Sequence, residues 1–136
     1  MDADFVLVER PPTVEEYRQL RSAAGWNELT EEGLAAGLSS ALYSCIVEHD
    51  GAVVACGRVV GDGGMYFYVQ DVIVLPEFHG RGLGAQVMGA IVDYLEGAAR
   101  TGAFVGLMAA SGVEGFYERY GFRRRDDDRP GMFRVW

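Results

Sequence analysis

The residues best suited to chemistry lie in a glycine-rich loop, His79-Gly80-Arg81-Gly82-Leu83-Gly84, which is followed by Ala85. Glycines at alternate positions clear side chains from the backbone, and the first N–H groups of a helix find no partner within the helix. The helix dipole adds partial positive charge at the same point, and Arg81 adds a side-chain cation. The loop is therefore predicted to bind a phosphate or a pyrophosphate.

Two other kinds of phosphate-binding loop do not fit this sequence. A P-loop needs Gly-Lys-Ser/Thr, and the sequence has no lysine. A dinucleotide-binding fold would place Gly-x-Gly-x-x-Gly after the first strand, whereas here Gly-x-Gly-x-Gly lies in the middle of the chain. The remaining alternative is that the glycines only allow a helix and a strand to pack closely.

The elements on either side of the loop are predicted to be a strand and a helix. The strand is an apolar run from Val69 to Leu75, interrupted by Gln70 and Asp71, and such a run is typical of a strand covered on both faces. Pro76 ends it, because proline has no N–H to donate to a sheet. The helix carries an apolar stripe at steps of three and four residues, formed by Leu83, Val87, Ala90, Ile91, Tyr94 and Leu95.

This strand and loop resemble a known family. Val72-Ile73-Val74, followed after four residues by the loop at 79–84, is similar to the acetyl-coenzyme A signature Gln/Arg-x-x-Gly-x-Gly/Ala of the GCN5-related N-acetyltransferases (GNAT). A second block, from Gly115 to Phe122, also matches, and the resemblance extends from Tyr17 to the end of the chain. His79 departs from the usual Gln or Arg, which matters little if the loop binds through backbone N–H groups.

The resemblance implies an α/β (α+β) fold with a mixed, mostly antiparallel central sheet that splays after its central strand and is flanked by helices. We expect a single acetyltransferase domain over residues 1–136. Capping residues start the first two helices at Thr13 and Thr30. The strands are predicted at Phe5–Val8, Tyr43–Glu48, Ala52–Val60, Met65–Leu75, Ala103–Ala109, Phe122–Arg125 and Met132–Trp136. The later helices are predicted from the loop to about Arg100 and over Val113–Tyr120.

The resemblance also implies acetyl-CoA as the cosubstrate, which enters the gap where the sheet splays. A free N–H near Val72 to Val74 would act as the oxyanion donor. Ser111 stands where the family often has an Asn that binds the pantetheine arm, and an ordinary helix N-cap is the alternative. The residues implied in cofactor binding are Val72, Ile73, Val74, His79, Gly80, Arg81, Gly82, Leu83, Gly84, Ala85, Ser111 and Phe116.

Tyr117 is the predicted general acid that protonates the departing thiolate, because it occupies the family's Phe-Tyr position. A phenol has an ordinary pKa of about 10 and stays protonated at neutral pH. The alternative is that Tyr117 is a core residue beside Phe116. Tyr120, three residues on, is a competing candidate.

The general base is less defined by the sequence. Tyr68 and Gln70, where several family members carry Glu or His, are poor bases at neutral pH. Asp71 is the predicted catalytic carboxylate, provided that a β-bulge turns it toward the other two. A buried Asp71 held by backbone N–H groups is the alternative, and the hairpin residues Glu48 and His49 or ordered water could also remove the proton.

The expected acceptor is the primary amine of a small molecule. Other acyl groups, a protein amine, and a non-catalytic acyl-CoA sensor are the alternatives. Tyr17 and Trp26 lie in the region that walls the family's acceptor site, although packing roles fit them equally well. The net charge of −8 favours cationic substrates and argues against a nucleic-acid surface.

The location and assembly of the chain are also open to prediction. No apolar run approaches the ~20 residues that span a bilayer, and the first residues lack a signal-peptide pattern. We therefore expect a cytoplasmic protein that does not associate with membranes. Exposed edges of the first or last strands could pair into a homodimer, as happens in the family.

The two cysteines are predicted to lie across a β-hairpin. Cys45 and Cys56 flank Asp50-Gly51, which is a strong signal for a two-residue type I′ turn. A regular hairpin around that turn would place position 45 directly opposite position 56. We expect free, buried thiols and no metal site, because neither cysteine lies in a His/Cys cluster.

Overall fold

The computed structural model describes residues 4–136, in which a five-stranded sheet has helices on both faces. In chain order the elements are β1 (Val6–Val8), α1 (Val14–Ala23), α2 (Glu31–Ser39), β2 (Tyr43–His49), β3 (Ala52–Gly61), β4 (Tyr66–Val74), a 3-10 turn (Pro76–Phe78), α3 (Leu83–Ala98), β5 (Phe104–Gly106) and α4 (Glu114–Glu118).

The sheet has the order β1-β2-β3-β4-β5. The first four strands are antiparallel to their neighbours, and β5 runs parallel to β4. Pairing with β5 covers only Tyr66 to Tyr68, whereas β4 continues to Val74. The predicted mixed, mostly antiparallel sheet that splays after its central strand is confirmed.

The two faces of the sheet carry separate cores. On one face, α3 packs Val87, Met88 and Ile91 against Cys45 and Val47 of β2. On the other face, Leu20 of α1 packs against Ile46, Cys56 and Ile73. Successive residues of β2 thus face opposite layers, as the two-residue period of a strand requires.

Both predicted helix starts are confirmed. Thr13 and Glu16 form a reciprocal capping box at α1, with the Thr13 hydroxyl accepting from the Glu16 N–H at 3.1 Å and the Glu16 carboxylate accepting from the Thr13 N–H at 2.9 Å. Thr30 accepts from the Gly33 N–H at 3.1 Å and caps α2.

The hairpin turn forms as predicted, but its register does not. Asp50 and Gly51 both have positive φ, 50° and 77°, as a type I′ turn requires. Beyond the turn a bulge between Val47 and Glu48 shifts the pairing by one residue. The prediction that the cysteines face each other is wrong, because the shift places Gly57 opposite Cys45 and Ile46 opposite Cys56.

Both cysteine thiols of the described chain are free and buried, as expected. Burial raises the pKa of the Cys45 thiol to about 11, and it raises the pKa of Cys56 as well. Neither thiol is therefore a reactive nucleophile at neutral pH.

The predicted final pair of strands is wrong. Within the described residues, the segment 122–136 forms neither helix nor strand. Its hydrogen bonds are local, such as those of the Arg129 N–H and the Arg125 side chain within the turn at 125–129. The apolar character of Met132 to Trp136 is not sufficient for a strand where no neighbouring strand pairs with it.

Candidate active site

The glycine loop places open backbone in front of α3. Gly82 is the N-cap of the helix in a left-handed conformation, with φ of 78°, and Gly80 has the same φ. Among the described residues no side chain caps this helix, and a Cβ added at Gly80 or Gly82 would have no described atom within 4 Å. The arrangement fits a pyrophosphate group, because uncapped N–H groups at a helix start face accessible space.

His79 connects this loop to the splayed side of β4. Its Nε2 lies 2.8 Å from the carbonyl oxygen of Val74. Because a carbonyl only accepts hydrogen bonds, Nε2 carries the proton and donates. His79 therefore fixes the loop against the end of the central strand.

Arg81 lies on an aromatic platform beside the loop. Its guanidinium carbon is 5.9 Å from the centre of the Phe5 ring and 5.5 Å from that of Phe78. The His49 ring stacks on the Phe5 ring, with 4.2 Å between the two ring centres. The platform keeps an exposed cation next to the loop, where it can neutralise a bound phosphate.

A β-bulge interrupts β4 at Asp71. Asp71 has a left-handed φ of 59°, and the pairing with β3 shifts between Cys56 and Arg58. Before the bulge Val69 faces the core under α3, and after it Ile73 faces α1. The bulge thus turns Asp71 to the face of Gln70, as the sequence interpretation anticipated.

The bulge also determines where the backbone beyond it points. The N–H of Leu75 donates to the Val54 carbonyl of β3 at 2.9 Å. Alternation along an extended strand therefore turns the N–H groups of Val74 and Val72 away from β3, toward the gap left by β5. Such N–H groups are suited to stabilise negative charge on a bound carbonyl oxygen.

Asp71 is the one buried charged residue among residues 4–136, with 3% of its surface exposed. Its Oδ2 accepts from the Tyr17 hydroxyl at 2.8 Å and from Arg58 Nε at 2.6 Å. Its Oδ1 accepts from Gln70 Nε2 at 2.9 Å. Side chains, and not backbone N–H groups, therefore hold this carboxylate. Burial and then the Asp71 charge raise the pKa of the Tyr17 hydroxyl, which keeps its proton.

The second matching block brings α4 onto the loop. The Phe116 ring lies over Gly84, 3.5 Å from the position that a Cβ would take there. The Tyr120 hydroxyl donates to the Ala85 carbonyl at 3.4 Å. Tyr117 packs edge-on against Phe116 with 5.1 Å between ring centres, and burial raises the pKa of its hydroxyl.

Not every predicted site residue joins this cluster. Ser111 is exposed in the turn before α4, and its alternative role as a helix cap is wrong because the N-cap is Val113. Ile73 faces α1, although Val72 and Val74 pack on the core under α3. Glu48 and His49 lie at the hairpin end, about 15 Å along β3 from the bulge at ~3.3 Å per residue.

The model of the family described as the Acetyltransferase (GNAT) domain matches residues 41–124. The chain belongs to the GNAT family. This match includes Val72–Val74, the loop at 79–84 and the block from Gly115 to Phe122, which carry the resemblance.

Individual relatives agree with this GNAT assignment. An uncharacterized N-acetyltransferase, ycf52, of Porphyra purpurea is 32% identical over 122 residues, covering 87% of this chain and 69% of that protein. A chloroplastic serotonin N-acetyltransferase 2 of Oryza sativa subsp. japonica is 39% identical over 82 residues, covering 60% of this chain and 40% of that protein. The predicted activity, N-acetyltransferase, is confirmed.

This chain also shares its fold with a protein whose structure has been solved. A crystal structure of a probable acetyltransferase of unknown function from meticillin-resistant Staphylococcus aureus superposes with a TM-score of 0.92. The two chains are 29% identical, and the superposition covers 98% of this chain and 100% of the other. The prediction of acetyl-CoA as the GNAT cosubstrate is confirmed.

Sequence reasoning missed three residues at or beside the Asp71 cluster. A Cβ on Gly57, opposite the bulge, would lie 2.4 Å from a Val87 methyl group, so the glycine lets α3 approach the sheet. Arg58 and Arg21 belong to the Asp71 cluster through long-range contacts. Nothing in the sequence pointed to Arg58 and Arg21 except that they are arginines, because their partners are distant in sequence.

Two further observations concern a groove that includes Tyr117 and the lengths of the helices. A groove of about 1140 Å³ lies between β5, α4 and the segment after α4; it includes Tyr117 but none of the loop residues 79–85. Within residues 4–136, no helix combines the length and the apolar character needed to cross a bilayer. The cytoplasmic location stays a prediction.

Proposed function

We propose that residues 1–136 act as a single domain that transfers an acetyl group from acetyl-CoA directly to the primary amine of a small molecule. The observation that carries this proposal is the open helix start at Gly82, fixed by His79 to the splayed strand whose N–H groups face the same gap. The loop supports binding of the pyrophosphate, and the strand supports placement of the thioester.

Each end of the gap has a separate task in this proposal. Acetyl-CoA supplies the activated acyl group. The N–H groups at 83–85 and Arg81 hold its phosphates, while Val72 and Val74 present donors to the thioester oxygen. Phe116 closes the loop from the other side.

Tyr117 is proposed as the general acid for the departing thiolate. Among residues 4–136 its hydroxyl has no hydrogen-bond partner, so its proton is not committed to another protein group. Burial raises its pKa above the ordinary value near 10. A general acid acts below its pKa, so we expect no loss of rate from Tyr117 deprotonation between pH 6 and 9, which a pH profile of kcat would show.

Water is proposed to take the proton from the incoming ammonium group. Both oxygens of Asp71 are occupied, and its side chain is only 1% exposed. Glu48 and His49 lie at the other end of β3. A catalytic base role for Asp71 stays a prediction that the substitutions below can test.

An aromatic monoamine is the first acceptor to test. The acidic chain favours a cation, and a relative named as a serotonin N-acetyltransferase shares 39% of the aligned residues. Tyr68 lies two residues before Gln70 on the same face of β4, and Trp26 is 38% exposed in the connection between α1 and α2. Both could contact an aromatic ring.

A homodimer is proposed for the active form. The segment after α4 exposes apolar side chains, of which Trp136 is 94% and Met132 is 88% exposed. β1 forms one edge of the sheet. Light scattering should give twice the mass of the 14.9 kDa chain, and a monomer at micromolar concentration would contradict the dimer.

Coenzyme A release from acetyl-CoA tests the function. The panel contains serotonin, tyramine, an aliphatic polyamine and a lysine peptide, and it compares the wild type with Tyr117→Phe and Tyr120→Phe. We expect turnover of at least one small amine and a loss of about 10²-fold in kcat for Tyr117→Phe with acetyl-CoA binding retained. Turnover of the peptide alone would contradict the small-molecule acceptor, and tight acetyl-CoA binding without turnover would favour a sensor.

A further inference from the structure

Asp71 lies at the centre of a hydrogen-bonded cluster that joins four elements. Its three donors come from α1 (Tyr17), β3 (Arg58) and β4 (Gln70). Arg58 also donates from Nη1 to the carbonyl of Gly37 in α2 at 3.0 Å. The buried charge is paired with an arginine and satisfied on both oxygens, so the cluster fixes the positions of all four elements.

The cluster continues outward to the connection between α1 and α2. Arg21 Nη1 donates to the Tyr17 hydroxyl at 3.1 Å, so this hydroxyl accepts one hydrogen bond and gives another to Asp71. Arg21 Nη2 donates to the backbone carbonyl and the side-chain oxygen of Asn27, at 2.8 and 3.0 Å. Its guanidinium lies 5.3 Å from the Trp26 ring centre.

We propose that Asp71 is a positioning residue, which sets the bulge of β4 and holds the Trp26–Asn27 loop in a fixed relation to it through Tyr17 and Arg21. The inference deepens the proposed function and depends on it for the identity of the acceptor side. The bulge directs the Val72 and Val74 N–H groups into the gap, while the Trp26–Asn27 loop borders the acceptor. One carboxylate thus aligns the donor and acceptor sides of the reaction.

The conformation of Asp71 supports this role. A left-handed conformation is unusual for any residue except glycine, and Asp and Asn tolerate it best. The three donors hold the side chain and thereby hold the bulge. Oδ2 is paired with Arg58 at 2.6 Å and Oδ1 accepts from Gln70, so neither oxygen is free to contact the incoming amine.

Tyr17→Phe is the most selective test, because it removes only the hydroxyl that links Asp71 to Arg21. We expect KM for the amine to rise about fivefold, with KM for acetyl-CoA and the pH profile unchanged. Tyr43→Phe is the matched control, since its hydroxyl also donates to a carboxylate, Glu9, at 2.6 Å but lies outside the cluster. Equal amine KM values for Tyr17→Phe and wild type would overturn the proposal.

Asp71→Asn separates positioning from base catalysis. Asparagine tolerates the left-handed conformation and still accepts from Arg58, so a positioning role predicts a loss in kcat of less than about 10-fold and an unchanged acid limb of the pH profile. A base role predicts a loss of about 10²- to 10⁴-fold and disappearance of that limb, which would overturn the proposal.

Fluorescence of Trp26 gives a readout that does not depend on activity. In a Trp136→Phe background Trp26 is the one remaining tryptophan. We expect acrylamide quenching of Trp26 to increase about twofold in Tyr17→Phe and not in Tyr43→Phe. If no amine is turned over, the proposed function fails, but increased quenching still supports the coupling; unchanged quenching contradicts it.

Discussion

The two ends of the reaction gap are built in different ways. At the loop end, the backbone of Gly80 and Gly82 and the start of α3 face open space, with no side-chain cap among the described residues. At the bulge end, the side chains of Tyr17, Arg58 and Gln70 occupy both oxygens of a buried carboxylate. The first region leaves its N–H groups open to a ligand, and the second satisfies its own charge internally.

This difference has a physical reason. A phosphate brings two or more negative charges with it, so its site needs only N–H groups and a nearby cation. An amine and a thioester must meet in a defined orientation, and small displacements reduce the rate strongly. A rigid internal cluster is suited to provide that orientation, whereas an open loop is not.

Packing behind the bulge should be the most sensitive point of the molecule. Gly57→Ala places a methyl group 2.4 Å from Val87 and 2.9 Å from Ile91, so we expect a loss of about 2–3 kcal/mol in the free energy of unfolding. Gly89→Ala in α3 is the control, because a Cβ there has no described neighbour within 4 Å. It should stabilise the protein by about 0.5–1 kcal/mol. Urea denaturation measures the free energy of unfolding of both variants, and equal values would refute the close approach of α3.

The open backbone of the loop is tested by Gly82→Ala. A methyl group at φ of 78° is strained and would occupy the open space in front of the helix start, so KM for acetyl-CoA should rise about 10-fold. Gly102→Ala is a control with the same kind of strain, at φ of 91°, outside the loop. It should lower stability by a similar amount and leave KM for acetyl-CoA unchanged. Similar KM changes in both variants would show that strain alone is responsible.

The smallest expected effect concerns the contact between the two regions. His79→Ala removes the donor to the Val74 carbonyl, and we expect KM for acetyl-CoA to rise about fivefold. His79→Gln keeps an N–H donor and should restore most of the affinity. Steady-state kinetics at saturating amine measures both variants. If glutamine is as poor as alanine, the hydrogen bond does not position the loop.

The sequence revealed the loop end far better than the bulge end. The open helix start after Gly80 and Gly82 and the caps Thr13 and Thr30 depend on local backbone geometry, so their positions alone predict them. The contact between Tyr17 and Asp71 joins residues 54 positions apart, which no local pattern encodes. Asp71 was identified as important, but its partners depend on how the helices pack on the sheet.

The errors in the predicted sheet have the same origin. The turn at Asp50-Gly51 was correct, yet the extra residue Val54 in β3 shifts Cys45 and Cys56 out of register. The mostly apolar segment Met132–Trp136 was predicted to be a strand, although the described chain gives it no pairing strand. Pairing depends on partners that are distant in sequence, whereas turns and caps depend on neighbours.

Steady-state kinetics of Gly82→Ala and Tyr17→Phe in one assay can separate the roles of the two regions. KM is measured for acetyl-CoA and for the amine in both variants, with the wild type alongside. We predict a crossed result: Gly82→Ala raises KM only for acetyl-CoA, and Tyr17→Phe raises KM only for the amine. Parallel changes in both constants for both variants would contradict the division between a backbone site for the cosubstrate and a side-chain cluster that positions the acceptor.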